Sequence, residues 1–91
     1  MRYFLDFTDE AEKGMSKLKR NEKFAYIKLE KLLLELSEHP KIGTGKPEQL
    51  SGNRSGQWSR RITDKHRLVY EIFDNRVLVL VVSTYGHYGD K

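Results

Sequence analysis

At 91 residues the chain has room for one modest core, so it is read as a single domain spanning 1–91 in which any chemistry rides on the elements that bury the apolar side chains. It contains no cysteine and no run near the ~20 apolar residues of a membrane span, which excludes a disulfide framework and a transmembrane helix. Met1 to Asp6 is too short and too soon charged for a signal peptide, so a soluble cytoplasmic protein with a formal net charge of +4 is expected.

Arg2 to Phe7 alternates Tyr3, Leu5 and Phe7 with Arg2, Phe4 and Asp6, the period-2 pattern of a short strand. Thr8 follows as a helix cap. Asp9, Glu10 and Glu12 sit in the first turn after it and Lys17, Lys19 and Arg20 in the last, so both ends complement a helix dipole over about residues 9–20. Asn21 is read as the cap of a second helix, in which Ala25, Leu29, Leu32, Leu33 and Leu36 form one apolar stripe and Pro40 marks the end. Lys13, Lys17, Lys28 and Lys31 read as the solvated outer face of these helices, with an extended RNA footprint as the alternative.

From His39 to Gly56 the composition shifts to Gly, Pro, Ser and Asn, and a segment this long without periodicity is more often a functional loop than a passive link. Glu48 lies in it. Residues 41–67 also carry Lys41, Lys46, Arg54, Arg60, Arg61, Lys65 and Arg67 against only Glu48 and Asp64, more than the excess of the whole chain. Such a stretch suits a surface that meets nucleic acid or an acidic partner. Three strands close the chain, at 57–62, 67–73 and 76–82, the last two joined at an Asp74-Asn75 hairpin signal. The order β-α-α-β-β-β gives an α+β domain with two helices packed on a twisted antiparallel sheet.

Loop length decides which arginines share a face, because a one-residue slip in a hairpin exchanges the two faces. With Thr63–Lys65 as a three-residue connection, Arg61 lies opposite Arg67, and Trp58, Ile62, Leu68, Tyr70 and Ile72 fall with Val77, Val79 and Val81 on the core face. A connection of two or four residues would mix charge into the core. Two guanidinium groups side by side repel each other unless an anion or a carboxylate, such as Glu48 or Glu71, compensates. Arg60 alternates away from Arg61, toward a salt bridge with the helices or a binding rim. His39, beside the helix-ending proline, and His66, beside the turn, read as structural; three scattered histidines without cysteine give no zinc site, so neither metal nor cofactor is expected.

Four blocks carry a more specific signal: Gly45-Lys46-Pro47-Glu48-Gln49-Leu50, Ser55-Gly56-Gln57-Trp58-Ser59-Arg60-Arg61-Ile62-Thr63, His66-Arg67-Leu68-Val69-Tyr70 and His87-Tyr88. In order and spacing they resemble the YoeB branch of the RelE superfamily, the ribosome-dependent mRNA interferase toxins of bacterial toxin–antitoxin pairs. The resemblance implies a RelE-like microbial ribonuclease fold. It also implies a catalytic set of Glu48 as general base, Arg67 with Arg61 on the phosphate and His87 as general acid, with Tyr88 positioning the substrate. In that chemistry the ribose 2′-OH of mRNA in the ribosomal A site attacks the adjacent phosphate without a metal. A carboxylate takes the proton, arginine forks donate to the phosphate oxygens and a histidine protonates the leaving 5′-oxygen.

The implied partners are a cognate YefM-like antitoxin, the ribosome with its rRNA, and mRNA, with a homodimer left open and no membrane. Lys46, Arg54 and Tyr85 extend the expected binding surface, Tyr85 and Tyr88 as stacking faces for single-stranded RNA. The chain departs from the family where Ser51 stands in place of a common lysine three residues after the glutamate, a charge that Arg54 or Lys46 would replace, and where Gly89-Asp90-Lys91 follow the terminal pair. Two other classes remain open on the sequence: a non-catalytic RelE/ParE-superfamily toxin that binds a protein target, and a basic module that grips nucleic acid through its strands alone.

Overall fold

In the computed structural model of the chain, which describes residues 2–86, the first strand, β1 (Phe4–Phe7), passes directly into helix α1 (Asp9–Asn21). Thr8 makes the junction. Its hydroxyl accepts from the Ala11 N–H at 3.0 Å and donates to the Val82 carbonyl at 2.7 Å, so one side chain caps the helix and ties it to the sheet. Helix α2 (Lys23–Glu38) follows after a single non-helical residue. That residue is Glu22 rather than the expected cap Asn21, which is the last residue of α1; the Glu22 carboxylate is engaged by His66 2.9 Å away and makes no cap bond. Helix α2 ends at Glu38, with His39 as its cap before Pro40, as the restriction on residues preceding proline requires. Among the described residues no helix is long and apolar enough to cross a membrane.

Five strands form one sheet in the order β1-β5-β4-β3-β2, with β2 at Glu48–Gln49, β3 at Gln57–Arg61, β4 at Arg67–Phe73 and β5 at Leu78–Ser83. The sheet is mixed, which corrects the all-antiparallel expectation: β1 runs parallel to β5, from Phe4↔Leu78 to Phe7↔Val81. The two helices carry the chain from one sheet edge to the other, so β5 returns beside β1 in the same direction rather than by a hairpin. β5 also begins later than predicted. Asp74–Arg76 form a 3₁₀ turn and Val77 takes a left-handed φ of 51°, so Val77 belongs to the connection and not to the core face.

The core lies between the helices and one sheet face. Ala11, Leu18, Ala25, Leu29, Leu32 and Leu36 meet Ile62, Leu68, Tyr70, Val79 and Val81, with Trp58, Ile72 and Leu33 partly buried at the margin. Near its end β5 carries a bulge: Tyr70 pairs with Val81 but Val69 with Ser83, leaving Val82 as the extra residue. A bulge bends and twists its strand. Beyond it Thr84 is fully buried and its hydroxyl donates to the Ala11 carbonyl at 2.8 Å, which anchors the end of the sheet to α1.

Candidate active site

Lys28, Gly45, Lys46, Glu48, Arg61 and Arg67 line one cleft of ≈ 380 Å³. Five of the six come from the sequence blocks singled out above, separated by up to 22 positions, and the sheet register brings them together. Arg61 is the Cα partner of Arg67, as the three-residue connection predicts, and Ile62 N–H donates to the His66 carbonyl at 3.0 Å to close that turn. Glu48, expected in a loop, is on β2 and pairs with Ser59, so the edge of the sheet holds its backbone. Gly45 reaches the same place from the loop. Its carbonyl accepts from the Arg61 N–H at 2.8 Å, and a Cβ at its φ of 85° would fall 2.9 Å from the Arg61 carbonyl oxygen, so only glycine fits. Lys46 follows with a left-handed φ of 52°, a conformation rare for a residue with a side chain and one that clusters at functional sites.

The loop that delivers Gly45 and Lys46 is organised from below by Arg60. This arginine shares the core face with Trp58 and Ile62 and is 0% exposed, so its charge has to be matched inside the protein. Nη1 lies 2.8 Å from Glu35 Oε1 on α2 and donates to the Thr44 carbonyl at 3.3 Å; Nη2 donates to the carbonyls of His39 and Ile42; Nε donates to the Tyr70 hydroxyl at 3.1 Å. Tyr70 passes the network on to the Pro40 carbonyl at 2.8 Å, and Thr44 donates from both its amide and hydroxyl to Glu35. Of the two roles open to Arg60 in the sequence, the helix-facing salt bridge is the one observed.

Two groups in this network depart from their ordinary acidity. Burial by itself pushes the Glu35 carboxyl up, but the hydroxyl and amide of Thr44 and the Arg60 guanidinium outweigh it and hold the pKa below the usual glutamate value. Burial raises the Tyr70 phenol, which Arg60 only partly offsets.

Inside the cleft four cationic side chains face one carboxylate, an excess that favours an anion in the space between them. Arg61 also lies 3.3 Å from Asp64, but with 57% and 92% of the two side chains exposed that ion pair is worth at most about 1 kcal/mol and is easily exchanged for a ligand. Arg67 Nη1 donates to the Ser59 hydroxyl at 3.0 Å, which aims the guanidinium from β4 across β3. The backbone of Arg67 is fixed too: its N–H donates to the Gly86 carbonyl at 2.9 Å.

The remaining predicted residues divide. Arg54 lies outside the cleft lining, where its Nη1 donates to Gln57 Oε1 at 3.1 Å and Gln57 in turn donates to Glu71. Tyr85 packs with its ring 4.4 Å from that of His66, and Lys17 Nζ lies 5.0 Å from its centroid. His87 and Tyr88 lie outside the described residues. Lys28 is the addition. The sequence offers it only as one of four helix lysines with no periodic mark to separate it, yet it alone of them lines the cleft, to which it adds a positive charge.

A family profile described as the YoeB-like toxin of bacterial type II toxin–antitoxin systems matches residues 7–88. The toxin YoeB of Streptomyces coelicolor is 48% identical over 61 residues, which cover 67% of this chain and 70% of that protein. The mRNA interferase toxin RelE of Escherichia coli is 35% identical over 83 residues, covering 91% of this chain and 81% of the relative. Among solved structures, a YoeB/ParE toxin from Agrobacterium tumefaciens superposes with a TM-score of 0.87 at 32% identity over 93% of this chain and 99% of that one. A chain of a YoeB–YefM complex from Staphylococcus aureus gives 0.81 at 32% identity over 97% of this chain and all of that one. The cleft residues on β2, β3 and β4 fall within the matched region, and the chain belongs to the YoeB-like toxin family of bacterial type II toxin–antitoxin systems.

Proposed function

We propose that the protein is a ribosome-dependent endoribonuclease that cleaves mRNA in the A site. The observation that carries this reading is the meeting of Glu48 with Arg61, Arg67, Lys46 and Lys28 around one cleft: a single carboxylate set among cations sized for a phosphate and its neighbours. Glu48 takes the proton of a ribose 2′-OH as that oxygen attacks the adjacent phosphorus. Arg61 and Arg67 donate to the non-bridging oxygens, where negative charge grows in the phosphorane. His87 gives its proton to the departing 5′-oxygen. One proton is taken and one given, and the products are a 2′,3′-cyclic phosphate and a 5′-hydroxyl. The placement of His87 is supported by its position in the chain, one residue after Gly86, whose carbonyl is bonded to the Arg67 amide. Tyr88 follows as the residue that positions the substrate.

Under the same reading the partner is a YefM-like antitoxin that covers the cleft with an acidic segment, in line with the Staphylococcus aureus relative solved as a YoeB–YefM complex. A YoeB dimer from the same species supports self-association as well. The experiment is a translation extract with mapped mRNA 5′ ends. Glu48→Gln should bind ribosomes as the wild type does but cleave roughly 10²- to 10⁴-fold more slowly, the range for loss of a general base. Undiminished cleavage by that variant would remove the carboxylate from the chemistry and favour a binding module.

A further inference from the structure

His66 is 3% exposed, and each of its ring nitrogens is committed to a different part of the fold. The Gly86 N–H points at Nδ1 from 2.9 Å, and because an amide N–H can only donate, Nδ1 must be the bare nitrogen. The proton therefore sits on Nε2, which faces Glu22 Oε2 at 2.9 Å at the junction of α1 and α2. The next residue completes the grip: Arg67 N–H donates to the Gly86 carbonyl at 2.9 Å. Gly86 is thus held on both its polar groups by consecutive residues, His66 at the end of the turn and Arg67 at the start of β4.

The segment leading to Gly86 is fixed independently. Thr84 is bonded to the Ala11 carbonyl, and Tyr85 lies between the His66 ring and Lys17. At Gly14, a Cβ would come within 2.9 Å of the Tyr85 Cβ, so α1 and this segment are in close backbone contact. A buried leucine would fill the volume of His66 equally well. Only an imidazole offers an acceptor on one edge and a donor on the other, and the acceptor edge serves a backbone group one residue before His87.

We propose that His66 is a positioning residue for the cleavage reaction: by accepting the Gly86 N–H it fixes, beside Arg67, the backbone at Gly86, the residue to which His87 is directly joined. This rests on the assignment of His87 as general acid under the proposed function. His66 itself is not among the residues that line the cavity of Glu48 and the arginines.

Two conservative variants separate the two edges of the ring. His66→Asn places a side-chain oxygen where Nδ1 stood and gives up Glu22; His66→Gln keeps a donor within reach of Glu22 and gives up Gly86. Hydrogen exchange at the Gly86 amide and single-turnover cleavage on programmed ribosomes are read for both, with Glu22→Gln as a control for the helix junction. In His66→Gln the Gly86 amide should lose protection and the maximal rate should fall on the order of 10- to 100-fold, the cost of misplacing a reacting group, while half-saturation changes little because the cleft is intact. His66→Asn should restore both readouts, and Glu22→Gln should lower the melting temperature without changing the rate. A full maximal rate in His66→Gln with Gly86 unprotected would overturn the proposal, as would a wild-type Gly86 amide that exchanges freely. Full cleavage by His87→Gln, with Gly86 still protected, would instead overturn the catalytic reading of the tail and with it the purpose assigned to the clamp.

Discussion

Arg60 and Glu35 meet at 2.8 Å with none of the Arg60 side chain exposed, and this pair, from the core face of β3 and the last turns of α2, fixes the loop that supplies the cleft. The neighbouring Arg61 points to the other face, where it makes an exposed ion pair with Asp64. Adjacent arginines in one strand thus sit in unlike settings, one in the buried scaffold and one on the cleft lining. Arg60→Ala would leave the carbonyls of His39 and Ile42 and the part-buried Glu35 carboxylate without this donor, and at about 1–3 kcal/mol for each acceptor left unmet the three together cost at least about 3 kcal/mol. For a chain of this size that is a fall in melting temperature of at least about 12 °C. Arg61→Ala, by contrast, should melt close to the wild type. Near-identical melting of both variants would show that the network contributes nothing net.

The same pair gives stability a pH dependence with a definite sign. The folded-state pKa of Glu35 lies below its ordinary value because Thr44 and Arg60 outweigh burial. A carboxyl depressed in the folded state stabilises fully above its unfolded pKa, about 4.3, and loses that contribution as pH falls through the folded value. Urea midpoints measured from neutral pH down to the acid limb should therefore decline, and Glu35→Gln should be less stable at neutral pH with a shallower decline below about pH 4.3. An acid limb as steep in Glu35→Gln as in the wild type would assign the dependence to other carboxylates, Asp74 among them, whose pKa is lowered by the hydrogen bonds from Tyr3 and Lys41.

Much of this arrangement was legible in the sequence, and the parts that were not share a cause. The Thr8 cap, both helices, β4 and the Arg61–Arg67 pairing follow from short-range patterns: capping chemistry, apolar spacing and turn length. The parallel pairing of β1 with β5 depends on residues more than 70 positions apart, which no local period encodes. Glu48 stands out in the sequence by its motif, but its strand of two residues is too short to show alternation. Lys28 was indistinguishable from its neighbours because a helix face is assigned to a cleft only by what packs over it. The bond from Arg54 to Gln57 is likewise a contact that spacing does not reveal.

Lys28 should therefore act as a phosphate contact and not as a catalyst. In a Glu48→Gln background, where RNA is not cut, Lys28→Ala should weaken single-stranded RNA binding and reduce the slope of log affinity against log salt by about 0.7, the share of one phosphate contact. Lys13→Ala, on the same helical layer but away from the cleft lining, serves as the control. Equal slopes for the two would return Lys28 to the solvated face.

At Lys46 conformation and charge can be separated. A left-handed backbone costs a residue with a side chain about 1–2 kcal/mol, whereas glycine adopts it freely but adds roughly 0.5–1 kcal/mol of unfolded-state entropy. Lys46→Gly should accordingly melt at or slightly above the wild type. It should nonetheless bind RNA more weakly, because the cleft has lost a cation. If Lys46→Gly bound as tightly as the wild type, the strained lysine would have no part in holding the anion.

Three truncations test how the segment after Gly86 contributes. Removing Gly89–Lys91 takes away residues beyond the His87-Tyr88 pair and should spare most activity. Removing His87–Lys91 keeps Gly86, with its bonds to His66 and Arg67, and should melt close to the wild type while losing cleavage. Removing Gly86–Lys91 takes the clamp as well. Its His66 would be left with a buried acceptor facing no donor, a loss of about 1–3 kcal/mol, so this form should be both inactive and less stable than the one that is a single residue longer. The comparison between the last two forms isolates Gly86 from the chemistry that follows it. Equal melting of the two would mean that the clamp stores no stability, and full cleavage by either would remove His87 and Tyr88 from the reaction altogether.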